Sequence, residues 1–148
     1  MTGRDFIIQE TVYQKLAAWA DRLPHALLLH GPRGIGKLQL AERFAQFLLC
    51  EGRASASVPC GRCDGCRWVA AGNHPDLRVL EPEAIARNPL AEDDEAEERG
   101  AKAKRKPSIE IRIEQVRQLD AFVHMGSHRR RRRVVIIHPA EDMNVPTA

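Results

Sequence analysis

Long apolar runs are missing from this sequence. Stretches such as Ala26 to Leu29 and Val134 to Ile137 are four residues each, far short of the roughly 20 that cross a bilayer. That excludes a transmembrane helix among the predicted elements. The N-terminus is equally bare of targeting signals: Thr2, Gly3, Arg4 and Asp5 offer no basic flank leading into an apolar stretch and a small-residue cleavage site. A cytoplasmic protein with no membrane partner is the expectation. A large excess of one charge sign is missing as well, and a net charge of +3 is too small to impose a nucleic-acid reading. What remains is ordinary globular composition, 43% apolar and 29% charged over 148 residues, enough for one domain with a single core. There is no internal repeat.

The charges are nevertheless uneven. Acidic residues crowd between Glu92 and Glu98, lysines and arginines between Lys102 and Lys106, and five arginines run from Arg129 to Arg133. Each block reads most simply as a solvated loop. Residues 81–107 combine the first two blocks with several prolines and little apolar content, so they read as a charged, flexible insertion.

From Val12, apolar positions Leu16, Trp19, Ala20 and Leu23 recur at helical spacing until Pro24, which predicts an amphipathic helix. The run Ala-Leu-Leu-Leu between His25 and His30, bounded by Pro24 and Gly31, predicts a buried parallel strand. Leu40, Ala41, Phe44, Ala45, Phe47 and Leu48 give a second helix. Residues 50–66, rich in cysteine, glycine and serine, predict a loop module rather than a helix or strand. Leu77 to Leu80 is a short strand candidate, Ile113 to Val123 a further helix, and Val134 to Ile137 a β-branched strand ended by Pro139. Strands alternating with helices predict an α/β fold with a parallel sheet.

Between the first predicted strand and the second helix lies Gly31-Pro-Arg-Gly34-Ile-Gly36-Lys37, with Walker A spacing. Gly31, Gly34 and Gly36 let backbone N–H groups curl around phosphate oxygens, the helix offers its positive end, and Lys37 reaches the terminal phosphates. The motif normally closes on Ser or Thr, whose hydroxyl binds magnesium. Here Leu38 follows and cannot coordinate a cation. The Walker B position is defective too: Val134-Val-Ile-Ile ends in His138 and Pro139 without a carboxylate. Glu141 and Asp142 lie beyond the proline. The bland alternative is a glycine turn joining strand to helix. On the functional reading, ATP or ADP binding survives through the backbone cradle and Lys37, while hydrolysis is lost.

Cys60-Gly-Arg-Cys63-Asp-Gly-Cys66 is C-x₂-C-x₂-C, and Cys50 lies ten residues upstream. Four thiolates suit a structural tetrahedral zinc without an open position for catalysis. Gly61 and Gly65 permit tight turns between the sulfurs. Paired disulfides suit an oxidising compartment, and an iron–sulfur cluster of the bacterial type needs a further Cys and Pro that are absent here. Cys50 also ends an apolar helix and can be read as a core residue; His74 is then the alternative fourth ligand.

These residues together carry a resemblance. His25-Ala-Leu-Leu-Leu-His-Gly31-Pro-Arg-Gly-Ile-Gly-Lys37, then Cys50, then Cys60, Cys63 and Cys66, then Asn73-His-Pro-Asp76, resemble the clamp-loader ATPase family of bacterial DNA polymerase III. Ile113-Glu-Gln-Val-Arg117 and Ala140-Glu-Asp-Met143-Asn144 resemble the segments flanking Walker B in that family. The resemblance implies a P-loop AAA+ domain, incomplete over 1–148, with residues 50–66 as an inserted zinc module. Within the family the γ/τ subunits hydrolyse ATP and δ′ subunits typically lack a working site, so Leu38 and His138 point to the δ′ side.

The implied role is a subunit of the DNA polymerase holoenzyme, without ATP hydrolysis of its own, that packs beside γ/τ and δ subunits and helps load the sliding clamp onto primed DNA. The arginine that such subunits supply to a neighbour lies downstream of the region present, so no residue takes that role. The resemblance also makes the chain look truncated after Ala148. Two other function classes stay open: an active P-loop ATPase with Glu141 or Asp142 on magnesium, and a zinc-dependent nucleic-acid binder using Arg129–Arg133 and Lys102–Lys106 on phosphates.

Overall fold

A computed structural model describes residues 7–52, 58–86, 106–124 and 132–143. The described helices are α1 (Ile7–Ala18), α2 (Lys37–Leu49), α3 (Asp64–Ala70) and α4 (Ile113–His124), and the strands are β1 (Leu77–Leu80) and β2 (Val134–Ile137). Strands β1 and β2 pair. Val134 N–H donates to the Asp76 carbonyl at 3.0 Å and His138 N–H to the Leu80 carbonyl at 2.9 Å. The two bonds share one offset and run in the same direction, as parallel strands require. The α/β class and a parallel pair are therefore present. The chain divides into two compact units, Met1–Leu77 with Ser127–Val134, and Arg78–Gly126 with Val135–Ala148.

The first unit is built on two helices. Tyr13, Ala17 and Ala20 recur at helical spacing, as do Leu40, Phe44 and Phe47, and all six are buried together with Leu16, Leu23, Leu29 and Leu48 packed against them. Tyr13 meets Phe47 edge-on at 6.3 Å between ring centroids, and Phe44 stacks on Phe47 at 6.2 Å. Each large side chain removed from water in this way contributes about 1.5–3 kcal/mol. The first helix starts earlier than its apolar spacing predicts: α1 covers Ile7–Ala18, and Ala20–Arg22 continue as a 3₁₀ turn.

The strand expected over His25–His30 is not one. That stretch has no regular structure, Leu28 is 78% exposed and Leu27 45%, and only Leu29 packs against the helical core. The reason is physical. A strand exists by virtue of its ladder partners, and no described strand lies alongside this segment. The loop expected over residues 50–66 needs a second correction, because α3 begins at Asp64 and carries Cys66. Cys63 caps it: its sulfur accepts the Cys66 N–H at 3.4 Å, doing the work of the usual Ser or Asp.

In the second unit, α4 buries Phe122, whose ring receives the Arg78 guanidinium at 4.8 Å. Ile111, fully buried, donates its N–H to the Asp142 carbonyl at 2.8 Å. Glu83 ties residues remote in sequence: its carboxylate accepts Ser108 N–H at 2.8 Å and the Arg112 guanidinium at 3.2 Å. Gln115 accepts Arg112 N–H at 2.9 Å and donates to the Glu81 carbonyl at 3.0 Å. Glu81 and Pro82, at the start of the expected insertion, are buried here. Its two charge blocks, except Lys106, lie outside the described residues.

Candidate metal centre and phosphate loop

Cys50, Cys60, Cys63 and Cys66 converge. Their four sulfurs lie within 4.8 Å of one another, although they come from the end of α2, a loop, and the start of α3. Cys60 and Cys66 are 4.0 Å apart, as are Cys50 and Cys63. A tetrahedron of sulfurs at ~2.3 Å from a zinc ion has edges of about 3.8 Å, so the thiols present fit such an ion. Backbone donors surround them: Cys60 N–H points to Cys50 Sγ, and Glu51 and Cys66 N–H groups to Cys63 Sγ, each at 3.4 Å. The sulfurs divide accordingly. Burial pushes the thiols of Cys50 and Cys66 up. N–H groups of Arg62 and Cys63 hold Cys60 down. At Cys63, burial acts to raise the pKa, but the N–H groups of Cys66, Glu51 and Gly52 prevail and bring it to about 6. Cys63 is thus shifted furthest toward the thiolate, the form that binds a metal.

His74, the alternative ligand, is engaged elsewhere. It is buried, its Nδ1 accepts the Asp76 N–H at 3.0 Å, and its ring meets Trp68 edge-on at 5.8 Å. With Nδ1 accepting, a neutral ring carries its proton on Nε2. His74 thus packs against α3 through Trp68. Gly65 serves there too, in a way the sequence did not disclose: a Cβ at Gly65 would sit 2.5 Å from the Leu49 carbonyl oxygen. Glycine here permits the close approach of α3 to the end of α2, rather than the tight turn expected of it. Gly61 keeps the turn role, with φ +69°.

In the glycine-rich loop, Gly31, Gly34 and Gly36 have φ of +144°, +83° and +84°. Lys37 Nζ donates to the carbonyls of Gly31 at 2.8 Å and Pro32 at 2.9 Å, closing the loop on itself. Leu38 is buried. Gln9 was missed by sequence reasoning. It is buried in α1, and its side-chain amide donates to the Ile35 carbonyl. A signal existed, since Gln9 stands one helical turn before Tyr13 on the face that turns inward.

His138, at the expected Walker B position, follows β2 with its N–H bonded to the Leu80 carbonyl; Glu141 and Asp142 occupy the following 3₁₀ turn. Of the arginine block, Arg129 to Arg131 lie outside the described residues and Arg132 is exposed. Arg133 departs from the solvated reading. Its side chain is 13% exposed and approaches the Asp76 carboxylate, itself 1% exposed, at 3.8 Å. A charge so placed needs a partner of opposite sign. None of the helices among the described residues is long and apolar enough to cross a membrane.

The chain is similar to known proteins. The family model described as DNA polymerase III, delta subunit, matches residues 8–148. The chain is 43% identical over 140 residues to the DNA polymerase III subunit delta′ of Pseudomonas aeruginosa, covering 95% of this chain and 35% of that protein. It is 42% identical over 67 residues to the delta′ subunit of Bacillus subtilis, covering 45% and 20% respectively. It is 40% identical over 88 residues to the tau subunit of Escherichia coli, covering 58% and 13%. The chain therefore spans about a third of the length of its Pseudomonas relative. With a match running from residue 8 to residue 148, the chain belongs to the DNA polymerase III delta-subunit family.

Proposed function

We propose that this chain is the phosphate-loop and metal-module part of a clamp-loader subunit of the δ′ kind, which works beside γ/τ and δ subunits to place the sliding clamp on primed DNA without hydrolysing ATP itself. The observation that carries the reading is Leu38. The loop keeps its three glycines and Lys37, yet the residue that should anchor magnesium is a buried hydrocarbon. Magnesium bridging the β- and γ-phosphates neutralises the charge that develops in phosphoryl transfer. Without its hydroxyl ligand, and with His138 where Walker B needs a carboxylate, the loop retains a hold on phosphate and loses the chemistry.

Cys50, Cys60, Cys63 and Cys66 would hold one zinc ion, which when bound supplies a structural cross-link. The protein's own share is to gather the sulfurs, donate N–H groups to Cys50 and Cys63, and fix α3 against α2 through Gly65 and His74. A site of this kind orders a segment that has little hydrophobic core of its own.

The test is reconstitution. Mixed with τ/γ and δ subunits, the protein is expected to enter a stable complex on size-exclusion chromatography while showing no ATP turnover alone. Turnover by the isolated protein that disappears in Lys37→Ala would overturn the inactive-subunit reading; failure to associate would overturn the partner assignment.

A further inference from the structure

We propose that Asp76 and Arg133 are positioning residues for the metal centre, linking zinc binding at the four sulfurs to the docking of Arg133 and Val134 where β2 begins. The inference rests on the metal reading above and extends that site to residues that hold no metal. Asp76 carries it. The residue is fully buried, and three of its groups reach two separate parts of the chain. Toward the cysteine module, its N–H donates to His74 Nδ1 at 3.0 Å. Toward β2, its carbonyl accepts the Val134 N–H at 3.0 Å, and its carboxylate lies 3.8 Å from Nε of Arg133, a side chain only 13% exposed.

His74 completes the path to the sulfurs. Its ring meets Trp68 of α3 edge-on, and a Cβ at Gly65 would lie 3.6 Å from its Nε2; Cys66 stands between those two residues in the same helix. The turn that carries His74 and Asp76 has little slack, since Asn73 N–H donates to the Trp68 carbonyl at 3.0 Å and Leu77 N–H to the His74 carbonyl at 3.1 Å. A carboxylate removed from water is costly unless an opposite charge meets it, so Arg133 helps to fix where Asp76 sits. A shift of α3 when the metal leaves would carry His74 with it and disturb the acceptor of the Asp76 N–H. Withdrawal of Arg133 would unsettle Asp76 and, through His74, the helix that holds Cys66. Linkage is reciprocal, so each event changes the other's equilibrium by the same factor.

Zinc affinity of the full chain is to be measured by competition with a chromogenic chelator, and exchange of the Val134 amide by NMR. Arg133→Met removes a charge from a residue that is no ligand. It is expected to weaken zinc binding about tenfold, and Arg133→Lys, which keeps the charge, to recover most of the loss. In the wild-type protein, chelation should in turn speed exchange of the Val134 amide, and in Arg133→Met that response should shrink. Amide protection over residues 40–47 reports whether each variant is folded; should Arg133→Met misfold, the wild-type response alone decides. Unchanged zinc affinity in folded Arg133→Met, equal losses in Arg133→Met and Arg133→Lys, or a Val134 amide indifferent to chelation would overturn the link and leave the metal reading standing. A reduced protein that binds no zinc would overturn both.

Discussion

The α1–α2 layer and the cysteine module are joined end to end, since Leu49 closes α2 and Cys50 opens the module, yet opposite means hold them together. In the layer, Tyr13, Ala17, Ala20, Leu40, Phe44 and Phe47 share the burden. Apolar burial is additive and non-directional, so no single side chain decides whether the layer exists. Around the module, the buried side chains are chiefly the sulfurs of Cys50 and Cys66, and Val58 is 52% exposed. On the proposed metal reading, its shape depends on four sulfurs meeting at one point. A region held by many weak contacts fails gradually, whereas one held by a single centre fails at once.

Metal removal should expose that difference most strongly. A structural zinc of this class contributes on the order of 10 kcal/mol to local folding. A chelator is expected to erase amide-exchange protection over residues 60–70 while residues 40–47 keep theirs. Loss of protection in both regions together would show that the layer depends on the module, and the comparison would break. The converse experiment is Phe44→Ala, which removes a ring stacked in the layer and should cost about 3–5 kcal/mol. The melting temperature falls, while folded protein is expected to keep its metal stoichiometry.

Gly65→Ala tests the seam. The added methyl would meet the Leu49 carbonyl at 2.5 Å, and relieving that contact must move α3 away from the end of α2. Overpacking of this kind costs about 1–3 kcal/mol. Because Cys50 lies on one side of the seam and Cys66 on the other, the variant should lose both stability and zinc affinity. Stability lost with zinc affinity intact would show that the sulfurs follow the displaced helix.

Legibility in the sequence followed the range of the interactions. Helix α2, the glycine loop and the four sulfurs announce themselves because spacing within a short segment fixes them. The segment at residues 25–30 reads as a strand, yet its apolar run states only a willingness to pair, and Leu28 stands exposed where no ladder is described. Helix α3 was hidden because Cys63 and Gly65 look like loop residues, and Cys63 works as a cap only when its sulfur meets the Cys66 N–H. Arg133 reads as one more surface charge until Asp76, 57 positions earlier, is seen beside it. Gln9 holds a loop 26 positions away, and no local pattern names that partner.

The smallest expected effect concerns the layer's rim. Arg43 extends from α2 over the Tyr13 ring at 3.9 Å and meets Glu10 of α1 at 2.7 Å. The Arg43 guanidinium first, and the Gln14 amide at 2.6 Å second, hold the Glu10 carboxyl below its ordinary 4.5. A carboxyl whose pKa is depressed on folding stabilises the folded state above its unfolded pKa, and that contribution fades as pH falls through the folded value. Glu10→Gln should therefore lower the melting temperature slightly at pH 7 and not at all once acid has protonated Glu10 in both states. The pair is partly solvated, so added salt should shrink the difference at pH 7 as well. Melting curves of the two proteins from pH 7 to pH 2 would check this. A gap that persists at the acid end would assign the effect to lost packing between Glu10 and its neighbours rather than to charge. Even then the contrast with the chelator would hold, because removing one rim contact leaves the six buried side chains of the layer in place.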